Sequence, residues 1–317
     1  MDYDAISENR SDTFAAFGQF IITFFEDYEL TLGGRYQKIK KDIDLENYFL
    51  PSGTPGAPRY TLNDDNTWDT FLPKLALSYK INNDFNSYFS VTKGYLAGGF
   101  NYNASDGSID QNSFDAQKSI NYELGIRGNA FENRLYLSAS IFYMDIKDLH
   151  VWGTDSVTGA RTTSNAAEAH SQGLELELRY AISDHWSIDG SLGLIEAKYD
   201  DYTNASGTDL SDNNIQTTPF HTVNIGLSYF NPNGFYGRLD IRNQGKIYFN
   251  NTNTRYEDPY TVANIRAGYL LGDWEFYGFV DNITDESYLT GADSMYDKNR
   301  LKFGDPRIIG GGVKYTF

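Results

Sequence analysis

Four histidines, at positions 150, 170, 185 and 221, are the residues best suited to acid–base work or metal ligation. They are dispersed, and none stands at metal-ligand spacing from another ligand or beside a candidate nucleophile. Cysteine is absent, which excludes a disulfide framework and any thiolate zinc or redox site. No glycine-rich phosphate loop is present. The residues therefore predict no catalytic set, no metal ligands and no cofactor. His185 falls in a short Ser-Asp-His turn and reads as solvated. His150 and Trp152 lie in a long polar stretch, where they could touch a ligand. The acidic stretch "KYDDYTNASGTDLSDNN" (198–214) offers carboxylates to Ca²⁺ but lacks the regular spacing and distal bidentate Glu of a calcium loop, so it reads as a solvated loop. A formal net charge of -17 leaves no basic patch for phosphates, so no nucleic-acid partner is expected.

The elements that would carry these residues announce themselves by period two. In "GLELELRY" (173–180), Leu174, Leu176, Leu178 and Tyr180 alternate with Glu175, Glu177 and Arg179. That is a β-strand with one oily and one charged face. Similar runs flank short turn signals at Glu26-Asp27, Asn82-Asn83-Asp84, Glu132-Asn133-Arg134, Ser183-Asp184-His185, Asn231-Pro232-Asn233-Gly234 and Gly272-Asp273. These recur about every 40 to 56 residues, a supersecondary repeat of hairpins. Long polar connections are expected over 43–66, 99–116, 149–168, 201–218, 249–259 and 286–304. Tight turns at one end and long loops at the other are the asymmetry of outer-membrane barrels. Aromatic residues, 16% of the chain, cluster beside each tight turn, as in an interfacial girdle.

No run of about 18 apolar residues occurs, so no transmembrane helix is expected. The opening "MDYDAISENR" has neither a basic nor an apolar leader region, so it predicts no signal peptide. Mean hydropathy is negative, but alternation averages barrel strands to neutral, and this excludes nothing. A soluble β-propeller is the rival architecture, because Gly33-Gly34 and Gly98-Gly99 resemble the glycine pairs of kelch blades. A blade needs four short strands per repeat, whereas these repeats carry two strands of about ten or more residues, long enough to cross a membrane.

Several stretches resemble the C-terminal barrel of TonB-dependent outer-membrane receptors of the ferric-siderophore type. They are "ELTLGGRYQ" (29–37), "PKLALSYKINNDFNSYFSVTKGYLAGGFN" (73–101), "NAAEAHSQGLELEL" (165–178), "VDNITDESY" (280–288, with Ile283-Thr284 in place of Leu-Phe) and the terminal "GDPRIIGGGVKYTF". The resemblance runs along essentially the whole chain. It implies an all-β fold, a transmembrane antiparallel barrel with the oily face of 174–180 to lipid and its charges to the lumen. Thirteen strands are expected between Thr13 and Phe317, against about 22 in such barrels, so residues 1–317 read as the last part of a barrel without its plug domain.

The function this implies is active transport of a ferric siderophore across the outer membrane of a Gram-negative bacterium, with no enzymatic activity. A passive porin-type pore is the alternative within the membrane, and a propeller binding module the alternative outside it. The implied partners are outer-membrane lipid, TonB acting through the missing plug, the barrel-assembly machinery and the siderophore. Positions matching the family's ligand-facing loops and upper walls are Tyr95, Phe100, Asn101, Tyr102, Trp152, Arg161, Tyr199, Tyr202 and Tyr256, and His150 joins them as a candidate by its place in the long loop. Val313, Tyr315 and Phe317 share one face of the last strand and resemble the terminal signal read during barrel assembly.

Overall fold

Alternation sustained over long stretches gives strands, and short turn signals between them give a meander. The computed structural model describes residues 2–50, 57–102, 106–154, 161–204, 206–295 and 298–317. Thirteen strands form one antiparallel sheet. They are β1 (Asp2–Phe24), β2 (Tyr28–Leu50), β3 (Tyr60–Lys80), β4 (Phe85–Leu96), β5 (Gln117–Ala130), β6 (Leu135–Thr154) and β7 (Arg161–Ala181). The sheet continues with β8 (Trp186–Tyr202), β9 (His221–Phe230), β10 (Phe235–Gln244), β11 (Tyr260–Leu271), β12 (Trp274–Asp281) and β13 (Ile308–Tyr315). Each strand pairs with its neighbour in sequence, and β1 and β13 are the two edges. One continuous sheet of this kind is no propeller. The only helix among the described residues is Ile109–Asn112, and none is long and apolar enough to cross a membrane.

Three expectations need correction. The first strand starts at Asp2, where it pairs with Leu50, rather than at Thr13. The connections placed at 43–66 and 149–168 are mostly strand: β2 runs to Leu50, β3 begins at Tyr60, β6 runs to Thr154 and β7 begins at Arg161. Asp42, Asp44 and Glu46, polar residues that suggested a loop, share one face of β2. On the other face Ile43, Leu45 and Leu62 are buried together. The stretch 286–304 contains a hairpin of its own, Leu289–Met295 with Lys298–Phe303. Parts of 43–66, 99–116, 149–168, 201–218 and 286–304 lie outside the described residues.

Register resolves the two faces. Tyr180, Ile188, Leu227, Leu239, Ile265, Val280 and Ile309 stand opposite one another in a single row from β7 to β13. One residue along, Arg179, Asp189, Gly226, Asp240 and Asn264 form the adjacent row on the other face. Arg238 reaches across two strands to Asp189 at 2.7 Å and holds Asp240 at 2.7 Å. Gly226 permits that reach, because a Cβ there would lie 2.2 Å from the Arg238 guanidinium. Tyr88 donates to Glu123, and Tyr236 to Glu275, on the same polar face.

The distribution of burial is inside out. Leu75, Leu77, Phe89, Leu124, Ile141, Ile225 and Ile265 are all exposed on the apolar face. Buried hydrophobics lie at the long-loop end, in two clusters on the polar-face side. One gathers Ile146, Val151, Ala167, Ala169, Tyr199, Tyr202 and Leu210. The other gathers Ile43, Leu45 and Leu62 with Phe100 against it. At the tight-turn end, aromatic rings pair across strands: Tyr28 with both Phe24 and Tyr79, Trp186 with Tyr229, Phe235 with Tyr269, and Trp274 with Tyr315. Not every clustered aromatic joins this band. Tyr88 and Tyr136 turn to the polar face, where Tyr136 lies under Arg179. The glycine pair Gly98-Gly99 is a packing device. A Cβ on Gly98 would meet the Phe114 carbonyl at 2.2 Å and the Trp68 ring at 2.7 Å.

Candidate ligand-binding site

The long-loop ends of β6 and β8 meet the loop after β10 around one amide. Asn251 donates to the Trp152 carbonyl (3.1 Å) and the Tyr202 hydroxyl (3.3 Å), and its Oδ1 accepts from the Tyr199 hydroxyl (3.0 Å). Its own carbonyl accepts from Asn213 (3.0 Å). Neighbouring Asn250 and Asn253 close the turn on themselves and on Asn214. Tyr199 is 2% exposed and Tyr202 4%, with ring centroids 4.8 Å apart. Burial pushes both phenols above the ordinary tyrosine range, so both stay neutral, Tyr199 as a donor to Asn251 and Tyr202 as an acceptor from it. These two tyrosines are scaffold for the loops and present no ring face to a ligand.

The remaining predicted positions divide. Phe100 meets Trp68 edge-on at 6.1 Å and belongs to the second buried cluster. Asn101 is buried, and its amide exchanges two hydrogen bonds of 2.8 Å with the backbone of Thr163. It clamps the loop after β4 to β7. His150 stands edge-on to Phe114 at 4.9 Å, with Nε2 2.7 Å from the Asp115 carbonyl. Tyr95 pairs with Lys118 and shares the alternation of Phe89 and Val91, so it stands on the outer, apolar-face side. Three predicted aromatics are exposed: Tyr102 (44%), Trp152 (51%) and Tyr256 (46%). Arg161 stacks on Trp152, its guanidinium 3.9 Å from the ring centroid, and reaches Asp293 of the 289–303 hairpin at 3.6 Å. Lys246 sits 3.6 Å over the Tyr256 ring.

Lys246 and Asn251 were not among the sequence-derived candidates. Asn251 had a signal in the "NNTNT" run at 250–254, whose residues favour turns and local side-chain bonds. Lys246 had none. What remains open to a ligand is Tyr102 and two exposed rings carrying cations, Trp152 with Arg161 and Tyr256 with Lys246, on a hydrogen-bonded loop scaffold. Such a set can stack on a planar group and pair with negative charge. Among the described residues no group of three His, Asp or Glu is placed to hold a metal ion.

Val313 and Tyr315 lie on the apolar row of β13, opposite Phe276 and Trp274. Phe317 meets Tyr315 edge-on at 5.0 Å. Beyond them the outer edge of β13 carries no partner strand among the described residues.

Residues 2–283 match the family model described as TonB dependent receptor-like, beta-barrel, and the chain belongs to that family. The pesticin receptor of Yersinia enterocolitica is 27% identical over 285 residues, 88% of this chain and 40% of the relative. The ferric-pyoverdine BN7/BN8 receptor of Pseudomonas putida is 24% identical over 316 residues, 96% of this chain and 34% of the relative. Two crystal structures share the fold. The ferric yersiniabactin uptake receptor FyuA from Yersinia pestis aligns with TM-score 0.84 and 23% identity over 99% of this chain and 47% of its own. The closed form of the ferric-catecholate import receptor Fiu from E. coli K12 aligns with TM-score 0.79 and 19% identity over 98% and 45%. The chain thus spans less than half the length of these relatives. In a barrel of this family the apolar face is the one turned to lipid and the polar face lines the lumen.

Proposed function

We infer that this chain forms part of an outer-membrane receptor that imports a ferric siderophore in a Gram-negative bacterium, driven through TonB. The observation that carries this reading is the pair of exposed, cation-bearing aromatics held on interlocked loops at the lumen mouth: Trp152 with Arg161 and Tyr256 with Lys246. A passive pore has no need of such a scaffold. The receptor names of the relatives point the same way. The iron chelate is cargo, and no resident cofactor and no catalytic step is required. TonB would act on a plug seated against the polar face, while lipid covers the apolar face. The exposed aromatics of the last strand, Tyr315 and Phe317, would be read by the barrel-assembly machinery through strand addition at the β13 edge.

The test is uptake of radioactive iron from a panel of ferric siderophores by iron-starved cells with and without the gene. Receptor-dependent uptake that stops when the proton gradient is collapsed supports the reading. Uptake that persists without the gradient shows a pore, and gene-independent uptake of every chelate overturns the receptor reading.

A further inference from the structure

A half-open cavity of about 220 Å³ lies on the polar-face side, where β8 meets the segments 214–220 and 246–248. Ile195 and Ala197, which continue the lumen-facing alternation of Asp189 and Ser191, give it an aliphatic wall. Phe220 and Tyr248 supply aromatic surface, and Asn214 and Thr218 supply polar groups. Lys246 is the only charged residue among the described residues of the lining.

The lysine is held chiefly by π faces. Its ammonium is 3.6 Å from the Tyr256 ring centroid and 5.3 Å from that of Tyr248. Its carboxylate neighbour, Asp258, is 4.0 Å away and largely solvated, too distant for a hydrogen bond. An ammonium has three donors, so this one retains capacity for an anion entering the cavity. The cavity wall is fixed in advance. Asn214 and Asn253 exchange hydrogen bonds of 2.7 and 2.9 Å, and the Thr217 amide donates to the Tyr248 carbonyl at 2.8 Å. Thr217 has φ 62, in the left-handed region that a β-branched residue ordinarily avoids. Strain of this kind persists where surrounding contacts impose it, and it collects at ligand clamps.

We propose that this cavity receives one flat, anionic aromatic arm of an iron chelator, a phenolate or catecholate ring, with its oxygen at Lys246 and its ring against the Ile195–Ala197 wall. The proposal rests on the receptor reading and narrows its ligand to chelators with an aromatic arm. The volume decides between an arm and a whole ligand, because pockets for drug-sized molecules run from about 300 to 1,000 Å³. A neutral ferric hydroxamate has neither ring nor net charge and leaves the cavity's apolar wall and its cation unsatisfied.

Binding is measured in outer membranes carrying the entire receptor, with three probes: iron-free 2,3-dihydroxybenzoate, a ferric tris-catecholate and a ferric tris-hydroxamate. The variants are Lys246→Met, Lys246→Arg and, as a control on the outer face, Lys147→Met. Loss of a charge-assisted hydrogen bond predicts that Lys246→Met weakens both aromatic probes about tenfold or more. Lys246→Arg and Lys147→Met bind nearly as the parent does, and any hydroxamate binding is unchanged. Undiminished catecholate affinity in Lys246→Met overturns the proposal. So does equal loss of catecholate and hydroxamate, or failure of the parent to bind either aromatic probe. Failure of the receptor reading looks different: 2,3-dihydroxybenzoate binds in a Lys246-dependent way while no ferric chelate enters cells. If chelates enter and Lys246→Met is silent, the receptor reading stands and the cavity proposal falls.

Discussion

At the scale of single residues, the loop end depends on amides more than on charges. Asn251 bonds to Trp152, Tyr199 and Tyr202. Asn251→Leu would leave the buried Tyr199 hydroxyl without that acceptor, a loss of about 1–3 kcal/mol for a buried unsatisfied group. The expected result is faster proteolysis within 201–218 at an unchanged rate in the tight turns. Equal protection in parent and variant would remove Asn251 from its central place. Gly98 offers a second probe. Its added Cβ would meet the Phe114 carbonyl at 2.2 Å, backbone that cannot swing aside. Gly98→Val should therefore undock the loop after β4 and expose Trp68, with the membrane strands unaffected. Red-shifted tryptophan emission measures it, and unchanged emission counts against the packing role.

Among the elements, β7 shows why facing matters more than hydrophobicity. Leu176 stands between Ala139 and Leu192 on the apolar face, while Glu175 stands between Ser140 and Gly193 on the polar face. Leu176→Arg places a cation in hydrocarbon, at about 2–4 kcal/mol near the bilayer midplane. Glu175→Arg stays in the lumen and should cost well under half of that. Refolding titrations in lipid vesicles compare the two, and equal destabilisation would reject the facing. The long strands β1 and β2, of 23 residues each, exceed the roughly 9–11 residues that cross the hydrocarbon. The surplus of β2 carries Ile43 and Leu45, which pack with Leu62 of β3 into the inner cluster, so a strand extension acts as a loop scaffold.

For the whole molecule, the two unpaired edges dominate. An open β1 edge in lipid leaves backbone groups unsatisfied, at several kcal/mol each. The 317-residue chain refolded by itself into detergent should therefore form edge-paired oligomers. A stable monomer in analytical ultracentrifugation would contradict this. Tyr315 and Phe317 act at the same scale. Replacing both by Ser in the entire receptor should lower the amount assembled in the outer membrane and leave ligand affinity per assembled molecule unchanged. Weaker affinity at normal abundance would mean that these rings support the binding end instead.

Strand number, turn positions and facing were legible in the sequence because each depends on local spacing. Alternation of the kind seen in 174–180 fixes the face, and turn residues such as Asn231-Pro232-Asn233-Gly234 fix the reversals. Strand ends were not legible. In 42–46 the outward Asp42, Asp44 and Glu46 mask the alternating Ile43 and Leu45, whose burial depends on Leu62 across the strand pair and Phe100 from a distant loop. The candidate site was legible by residue type alone. Aromatics at 199, 202 and 256 look alike in sequence, yet Tyr199 and Tyr202 are buried scaffold and Tyr256 is an open ring beneath Lys246. That distinction arises from contacts between β8, the 210–215 segment and the 247–257 turn. Such contacts depend on how the sheet brings loop ends together, which no local pattern encodes.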